Sequence, residues 1–119
     1  MMTFLQAIAR QEGFYAPGTR PARNLNPGDI EYGRFAVAHG ATGTDGRFAI
    51  FPDEETGFAA MKALFQGGYK GLTVTQAIEK WAPPFENNDD NYIQNICAWT
   101  GCRPTDLVGP LLEVSDSGA

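Results

Sequence analysis

The spacing of apolar residues along the chain changes twice. Between Thr3 and Gly13 apolar residues recur three and four positions apart, which predicts a helix ending at the glycine. Between residues 29 and 50 apolar and polar residues alternate, which is typical of strands. The helical period returns after Asp53 and continues towards the C-terminus. One helix, a small sheet and then three or four helices indicate an α+β fold.

Local signals set the limits of the predicted helices. Thr3 can cap the first helix, and Thr73 with Gln76 has the spacing of a capping box. Asn88 or Asp89 caps a later helix, which the glycine at position 101 ends.

Three alternating segments form the predicted antiparallel sheet: residues 29–32, 34–38 and 47–50. Asp45-Gly46 stands before the third segment and is a typical hairpin turn, because both residues tolerate positive φ. We therefore expect three short strands.

Composition bounds the class of protein. A chain of 119 residues with 43% hydrophobic residues suits one globular domain, which we place at residues 1–114, with 115–119 as a disordered tail. The net charge of −5 and the lack of a basic cluster argue against a nucleic-acid partner. No apolar run approaches the length of about 18 residues that suggests membrane insertion. We expect a monomer.

The chain offers few metal or redox ligands. Cys97 and Cys102 have neither zinc-site nor C-x-x-C spacing, and His39 is the sole histidine. We therefore expect no metal and no cofactor. Two alternatives remain open for the cysteines: two buried thiols, or a disulfide in an oxidising compartment.

Glu12 is the candidate acid. It lies four residues after Ile8 on the apolar face of the first helix, and Phe14 and Tyr15 follow it. Burial disfavours the charged form of a carboxyl, and glycoside cleavage needs an acid that is protonated near neutral pH. The alternative is an ordinary glutamate at a helix end in water.

A second carboxylate would come from Asp29 or Glu31. Strand alternation places both on one face, opposite Ile30 and Tyr32. Either could activate water or stabilise an oxocarbenium ion if that face borders a cleft. The alternative is a solvated strand face.

Four motifs in order resemble lysozyme-like muramidases, in particular small phage or prophage endolysins related to lytic transglycosylases and goose-type lysozymes. The resemblance covers about Phe4 to Gly101. "IARQEGF" resembles the family's first catalytic helix, and "RNLNPGDIEYG" its cleft-wall loop and strand. "GRFAIFPDEETGFAAM" resembles the following strand and helix, and "PPFENNDDNYIQNI" a segment whose tyrosine lies near the acid.

The resemblance implies a helical body, a small three-stranded β wing and a cleft between them. It implies cleavage of the β-1,4 bond between MurNAc and GlcNAc in peptidoglycan, with Glu12 as general acid. Asp29 stands where the family commonly has asparagine. The implied substrate-binding residues, which contact sugar amides, hydroxyls or ring faces, are Tyr15, Arg23, Asn24, Asn26 and Tyr92.

Several outcomes remain open at this point. With Asp29 or Glu31 as base the bond is hydrolysed with inversion, and the carboxyls then lie roughly 6.5–9.5 Å apart. Otherwise Glu12 serves as acid and base, and a 1,6-anhydro sugar results. Alternatives are a non-catalytic glycan-binding or virion structural domain, and a chitinase-type glycosidase.

The N-terminal segment has neither a basic start nor a long apolar centre, so we expect no secretion signal. Synthesis is then expected in the cytoplasm. The protein would reach the cell wall after release by a holin, within a phage particle or through lysis.

Overall fold

The computed structural model describes residues 1–84 and 88–114. Over these residues the fold is α+β and mostly helical, with one small antiparallel sheet of two strands. Its elements, in chain order, are α1 (Phe4–Gln11), α2 (Arg20–Arg23), α3 (Arg34–Ala38), β1 (Gly43–Thr44), β2 (Ala49–Ile50), α4 (Glu54–Gly68), α5 (Val74–Trp81), α6 (Asp89–Thr100) and α7 (Val108–Leu111). None of these helices has both the length and the apolar character needed to cross a membrane. The tail predicted at 115–119 lies outside the described residues.

The chain divides into two units, each with its own internal contacts. The helical unit contains Met1–Ala7 and the described part of Phe65–Ala119. The sheet unit contains Ile8–Leu64.

Capping signals in the helical unit act as predicted. The Thr73 hydroxyl accepts the Gln76 N–H at 3.2 Å, and the Gln76 side chain accepts the Thr73 N–H at 2.9 Å. Asn88 caps α6 by accepting the Asn91 N–H at 3.1 Å, and Gly101 ends that helix with a φ of +79°. The predicted limits of α5 and α6 are therefore confirmed at these residues.

The core of the helical unit is built from side chains that its helices bury. Phe4 and Phe65 meet edge to face, with ring centroids 5.8 Å apart. The chain after α6 pairs back onto the start of α5, where the Val74 N–H donates to the Asp106 carbonyl at 2.8 Å. The largest fully buried apolar side chains in this unit are Phe4, Phe65, Val74, Ile78, Ile96 and Val108.

The sheet unit contains fewer strands than expected. β1 and β2 pair antiparallel with Gly43 opposite Ile50 and Thr44 opposite Ala49. The chain reverses within residues 45–48, where the Asp45 N–H donates to the Phe48 carbonyl at 3.1 Å; of the two predicted turn residues only Gly46 has a positive φ, +117°. The first predicted strand, 29–32, contributes one isolated bridge, between Glu31 and the residue before β2.

The predicted strand at 34–38 is wrong, because this segment forms helix α3. The alternation of Phe35 and Val37 suggested a buried face, yet both side chains are exposed. The small Ala36 between them is fully buried and packs with Ile30 in the core of the unit. The short helix therefore buries one of its two alanines and leaves its large side chains exposed.

Candidate site around Glu12 and Arg20

Glu12 occupies the C-cap position of α1. Gly13 follows in the left-handed region, with a φ of +91°. Its N–H donates to the Arg10 carbonyl at 3.1 Å, and the Phe14 N–H donates to the Ala9 carbonyl at 2.9 Å. These two bonds form a Schellman motif, which fixes the backbone on both sides of the glutamate. The predicted helix stop at the glycine is confirmed.

Glu12 is followed closely along the chain by two aromatic residues. Its side chain is half-buried, and the neighbouring Phe14 is buried. The Phe14 ring meets Tyr15 and Phe58 edge to face, with centroids 5.1 Å and 5.4 Å away. Tyr15 itself is exposed. Three positions after the candidate acid, an exposed tyrosine therefore packs on a buried aromatic ring.

Arg20 forms a forked ion pair with Asp29. Its Nε donates to Asp29 Oδ1 at 3.0 Å and to Oδ2 at 3.1 Å, and its Nη2 also donates to Oδ2. The guanidinium lies over the Phe48 ring, 3.7 Å from its centroid. The hydrogen bond to Asp29 is the main cause that raises the pKa of Arg20; partial desolvation opposes it, and the charges of Asp29, Asp45 and Glu12 add to it.

Both candidate second carboxylates are held by arginines. The Asp29 side chain is 15% exposed, and Arg20 hydrogen-bonds to both of its oxygens. Asp29 also has a φ of +48°, in the left-handed region, so it does not have the strand conformation expected from the sequence. Glu31 Oε1 accepts from Arg47 Nε at 2.7 Å in a largely exposed pair. A water that approaches either group must compete with a cation.

Asn24 fixes a further carboxylate. The Asn24 side chain is buried, and its Nδ2 donates to Asp45 Oδ2 at 2.9 Å. This bond, followed by backbone N–H bonds from Arg47 and Phe48, lowers the pKa of Asp45 to about 2. The predicted substrate-binding asparagine thus already binds a side chain of its own chain.

Asn26 joins the loop to the sheet. It is fully buried, its Nδ2 donates to the carbonyls of Ile30 at 2.9 Å and Ala49 at 3.0 Å, and its Oδ1 accepts the Ile30 N–H at 3.0 Å. The side chain adds to the backbone bonds between the loop and β2, where the Ala49 N–H donates to the Ile30 carbonyl at 2.9 Å. These contacts give Asn26 a positioning role.

The other two predicted substrate-binding residues differ in setting. Arg23 is exposed, and its Nη1 donates to the Gly18 carbonyl within the same loop. Tyr92 lies in the helical unit, on α6, and is 3% exposed. The remaining predicted site residues lie in the sheet unit.

Sequence reasoning missed Arg20 and Asp45. A usable signal preceded the first of these, because Thr19 before Arg20-Pro21 has the pattern of a capped helix start, and the Thr19 hydroxyl accepts the Ala22 N–H at 3.4 Å. No local pattern indicates which carboxylate the arginine binds.

The sequence suggested only a helix-capping role for Asp89 and did not indicate the setting of its carboxylate. It is buried, and within the described ranges neither of its carboxylate oxygens has a hydrogen-bond partner. Such groups are rare in folded proteins and need an explanation.

The described part of the chain contains no group of three or more His, Cys, Asp or Glu side chains that could hold a metal ion. No protein-family model matches this chain, and no curated protein matches it significantly.

Proposed function

We propose that this chain is a lysozyme-like muramidase that cleaves the β-1,4 bond between MurNAc and GlcNAc in peptidoglycan, with Glu12 as general acid. The observation that carries the proposal is the position of Glu12, half-buried at a rigid helix end beside Phe14 and Tyr15. Such an acid can donate a proton to the leaving oxygen. In this proposal β1, β2 and the bridge at Glu31 form the β wing of a lysozyme-like fold.

The ion pairs favour one of the two reaction routes. Asp29 and Glu31 are both engaged by arginines, so neither is positioned as a free base for water. Glu12 therefore protonates the glycosidic oxygen, the C1–O bond of MurNAc breaks, and the GlcNAc hydroxyl leaves. The C6 hydroxyl of MurNAc then attacks C1 and returns its proton to Glu12. No water is consumed, and the product carries a 1,6-anhydro end.

The proposed substrate contacts follow from exposure. Tyr15 and Arg23 are accessible to a glycan strand, whereas Asn24 and Asn26 position the loop from inside. The proposed route to the substrate is synthesis in the cytoplasm, followed by release through a holin, a phage particle or lysis.

Mass spectrometry of fragments from purified peptidoglycan tests the proposal. Wild type should release anhydro ends, and Glu12→Gln should release none while keeping a native circular dichroism spectrum. Glu31→Gln is the matched control, because it removes a carboxylate from an exposed pair, and it should keep activity. Equal cleavage by wild type and Glu12→Gln would refute the assignment of the acid. Reducing ends in place of anhydro ends would refute the route and return Asp29 or Glu31 as base.

A second candidate is a non-catalytic glycan-binding domain. The observation that favours it is the exposure of three aromatic side chains in the sheet unit: Tyr15, Tyr32 and Phe35. Aromatic faces of this kind pack on apolar patches of a ligand, while the tyrosine hydroxyls stay in water. Co-sedimentation with cell walls without fragment release would support this candidate. Cleavage of chitin oligomers in preference to peptidoglycan would instead indicate a chitinase.

A further inference from the structure

The two cysteines of the helical unit face each other across a tight turn. Cys97 lies in the last turn of α6 and Cys102 just beyond it, and their Sγ atoms are 3.5 Å apart. Both side chains are half-buried thiols in the reduced state. A disulfide requires an S–S distance of about 2.05 Å, so small side-chain rotations separate this arrangement from the bonded one.

The backbone holds the two thiols in register. Gly101 reverses the chain with a φ of +79°, and its N–H donates to the Cys97 carbonyl at 2.8 Å. The Thr100 hydroxyl donates to the Ile96 carbonyl at 2.7 Å and accepts the Cys102 N–H at 3.1 Å. These bonds fix both cysteines to the same helix end, so the thiols meet without any rearrangement of the helix.

We propose that Cys97 and Cys102 form a reversible disulfide site, which a low-molecular-weight disulfide such as oxidised glutathione closes. One cysteine thiolate attacks a glutathione sulfur and displaces one glutathione. The second cysteine then attacks the mixed disulfide and displaces the other. Two protein thiols become one disulfide, and one oxidised glutathione becomes two reduced ones. This inference does not depend on the proposed function.

The surroundings of Cys97 disfavour its thiolate. Burial, then the hydrogen bond with Cys102 and the charges of Cys102 and Asp106, raise the pKa of Cys97 to about 12. The thiolate is the attacking species, so burial slows attack by Cys97. The distance of 3.5 Å between the two Sγ atoms places each cysteine against a mixed disulfide formed on the other, so the second exchange closes the disulfide whichever cysteine reacts first.

Incubation of the full chain with oxidised glutathione, followed by alkylation and intact-mass measurement, tests the site. Wild type should lose two hydrogens and both alkylatable thiols together, without a lasting glutathione adduct. Cys97→Ser should instead stop at the mixed disulfide on Cys102, and Cys102→Ser should stop at the mixed disulfide on Cys97. Retention of both thiols in wild type, or accumulation of disulfide-linked dimers, would overturn the proposal.

Thermal unfolding gives an independent measurement. Closing the short loop restricts the unfolded chain, so the oxidised protein should melt about 5–10 °C higher than the reduced protein. The Cys97→Ser/Cys102→Ser double variant should show no such shift between the two buffers. A disulfide that forms without raising Tm would overturn the claim that the native turn accommodates the bond.

Discussion

Two glycines of helix α4 should respond in opposite directions to replacement by alanine. A Cβ at Gly57 would lie 2.2 Å from the carbonyl oxygen of Leu25 and 2.8 Å from Pro27 Cδ. A Cβ at Gly67 would have no heavy atom within 4 Å outside its own helix and chain neighbours. Helix propensity alone predicts that both substitutions stabilise the protein, by up to about 1 kcal/mol each.

The close approach at Gly57 reverses this expectation. An ordinary contact between carbon and a carbonyl oxygen is about 3.3 Å, so helix and loop would have to separate by about 1 Å. The loop cannot move easily. Leu25 has a φ of +51°, and the Asn26 side chain is hydrogen-bonded to the backbone of Ile30 and of Ala49. Overpacking of this kind costs about 1–3 kcal/mol, which exceeds the propensity gain. We expect a net loss of about 1–2 kcal/mol for Gly57→Ala.

Thermal unfolding followed by circular dichroism measures both variants. For a chain of this size about 1 kcal/mol corresponds to about 4 °C, so Gly57→Ala should lower Tm by about 4–8 °C. The control Gly67→Ala should raise Tm by about 2–4 °C. Stabilisation of both variants by similar amounts would refute the reasoning, because it would mean that the Leu25 carbonyl does not restrict position 57.

Three further predictions concern the polar contacts of the sheet unit. Asn26→Ala removes three buried hydrogen bonds, so the free energy of unfolding measured in urea should fall by about 3 kcal/mol. A loss under about 1 kcal/mol would contradict the positioning role of Asn26. The pKa of Asp45 is lowered from 3.8 to about 2 in the folded protein, mainly by the hydrogen bond from the Asn24 side chain. This carboxylate therefore stabilises the fold above pH 3.8, and its contribution is lost as the pH falls towards 2. Asn24→Ala should move the NMR titration midpoint of Asp45 upwards, and an unchanged midpoint would exclude the asparagine as the cause. Arg20→Ala removes a forked ion pair and a contact with the Phe48 ring at 3.7 Å and should destabilise by about 1–2 kcal/mol. Arg47→Ala removes a largely exposed pair and a longer contact with the same ring, at 4.8 Å, and should change stability by less than about 0.5 kcal/mol. Equal losses would show that exposure does not distinguish the two pairs.

Features of the fold that depend on neighbouring residues could be predicted from the sequence. The capping box of α5 needs only Thr73 and Gln76, and the stop of α1 needs only Gly13. Segment 34–38 could not be assigned in this way. Its alternation is real, but Phe35 and Val37 remain exposed, and burial, which decides between strand and helix, depends on the rest of the unit.

The candidate site shows the same limit. The setting of Glu12 follows from the local sequence, because its helix stop and aromatic neighbours are adjacent to it. The partners of Asp29 and Glu31 are 9 and 16 positions away, and nothing in the composition of either segment selects them. The spacing of carboxylates along a predicted strand therefore identified the candidates for a base, but it could not show that arginines bind both of them.

The ion pairs of Asp29 and Glu31 affect both the stability of the sheet unit and the ability of these carboxylates to act as a base in the proposed reaction. The fork from Arg20 to Asp29, with its guanidinium over Phe48, holds the loop that follows α2 near β2. An inverting hydrolase would need one of the two carboxylates to receive a proton from water, and Asp29 could do so only by giving up bonds that maintain the loop. Glu31 could be released more cheaply, because its pair is exposed to solvent on both sides. Under the proposed function, a hydrolytic route would therefore proceed through Glu31, whereas intramolecular closure of the sugar requires neither ion pair to open.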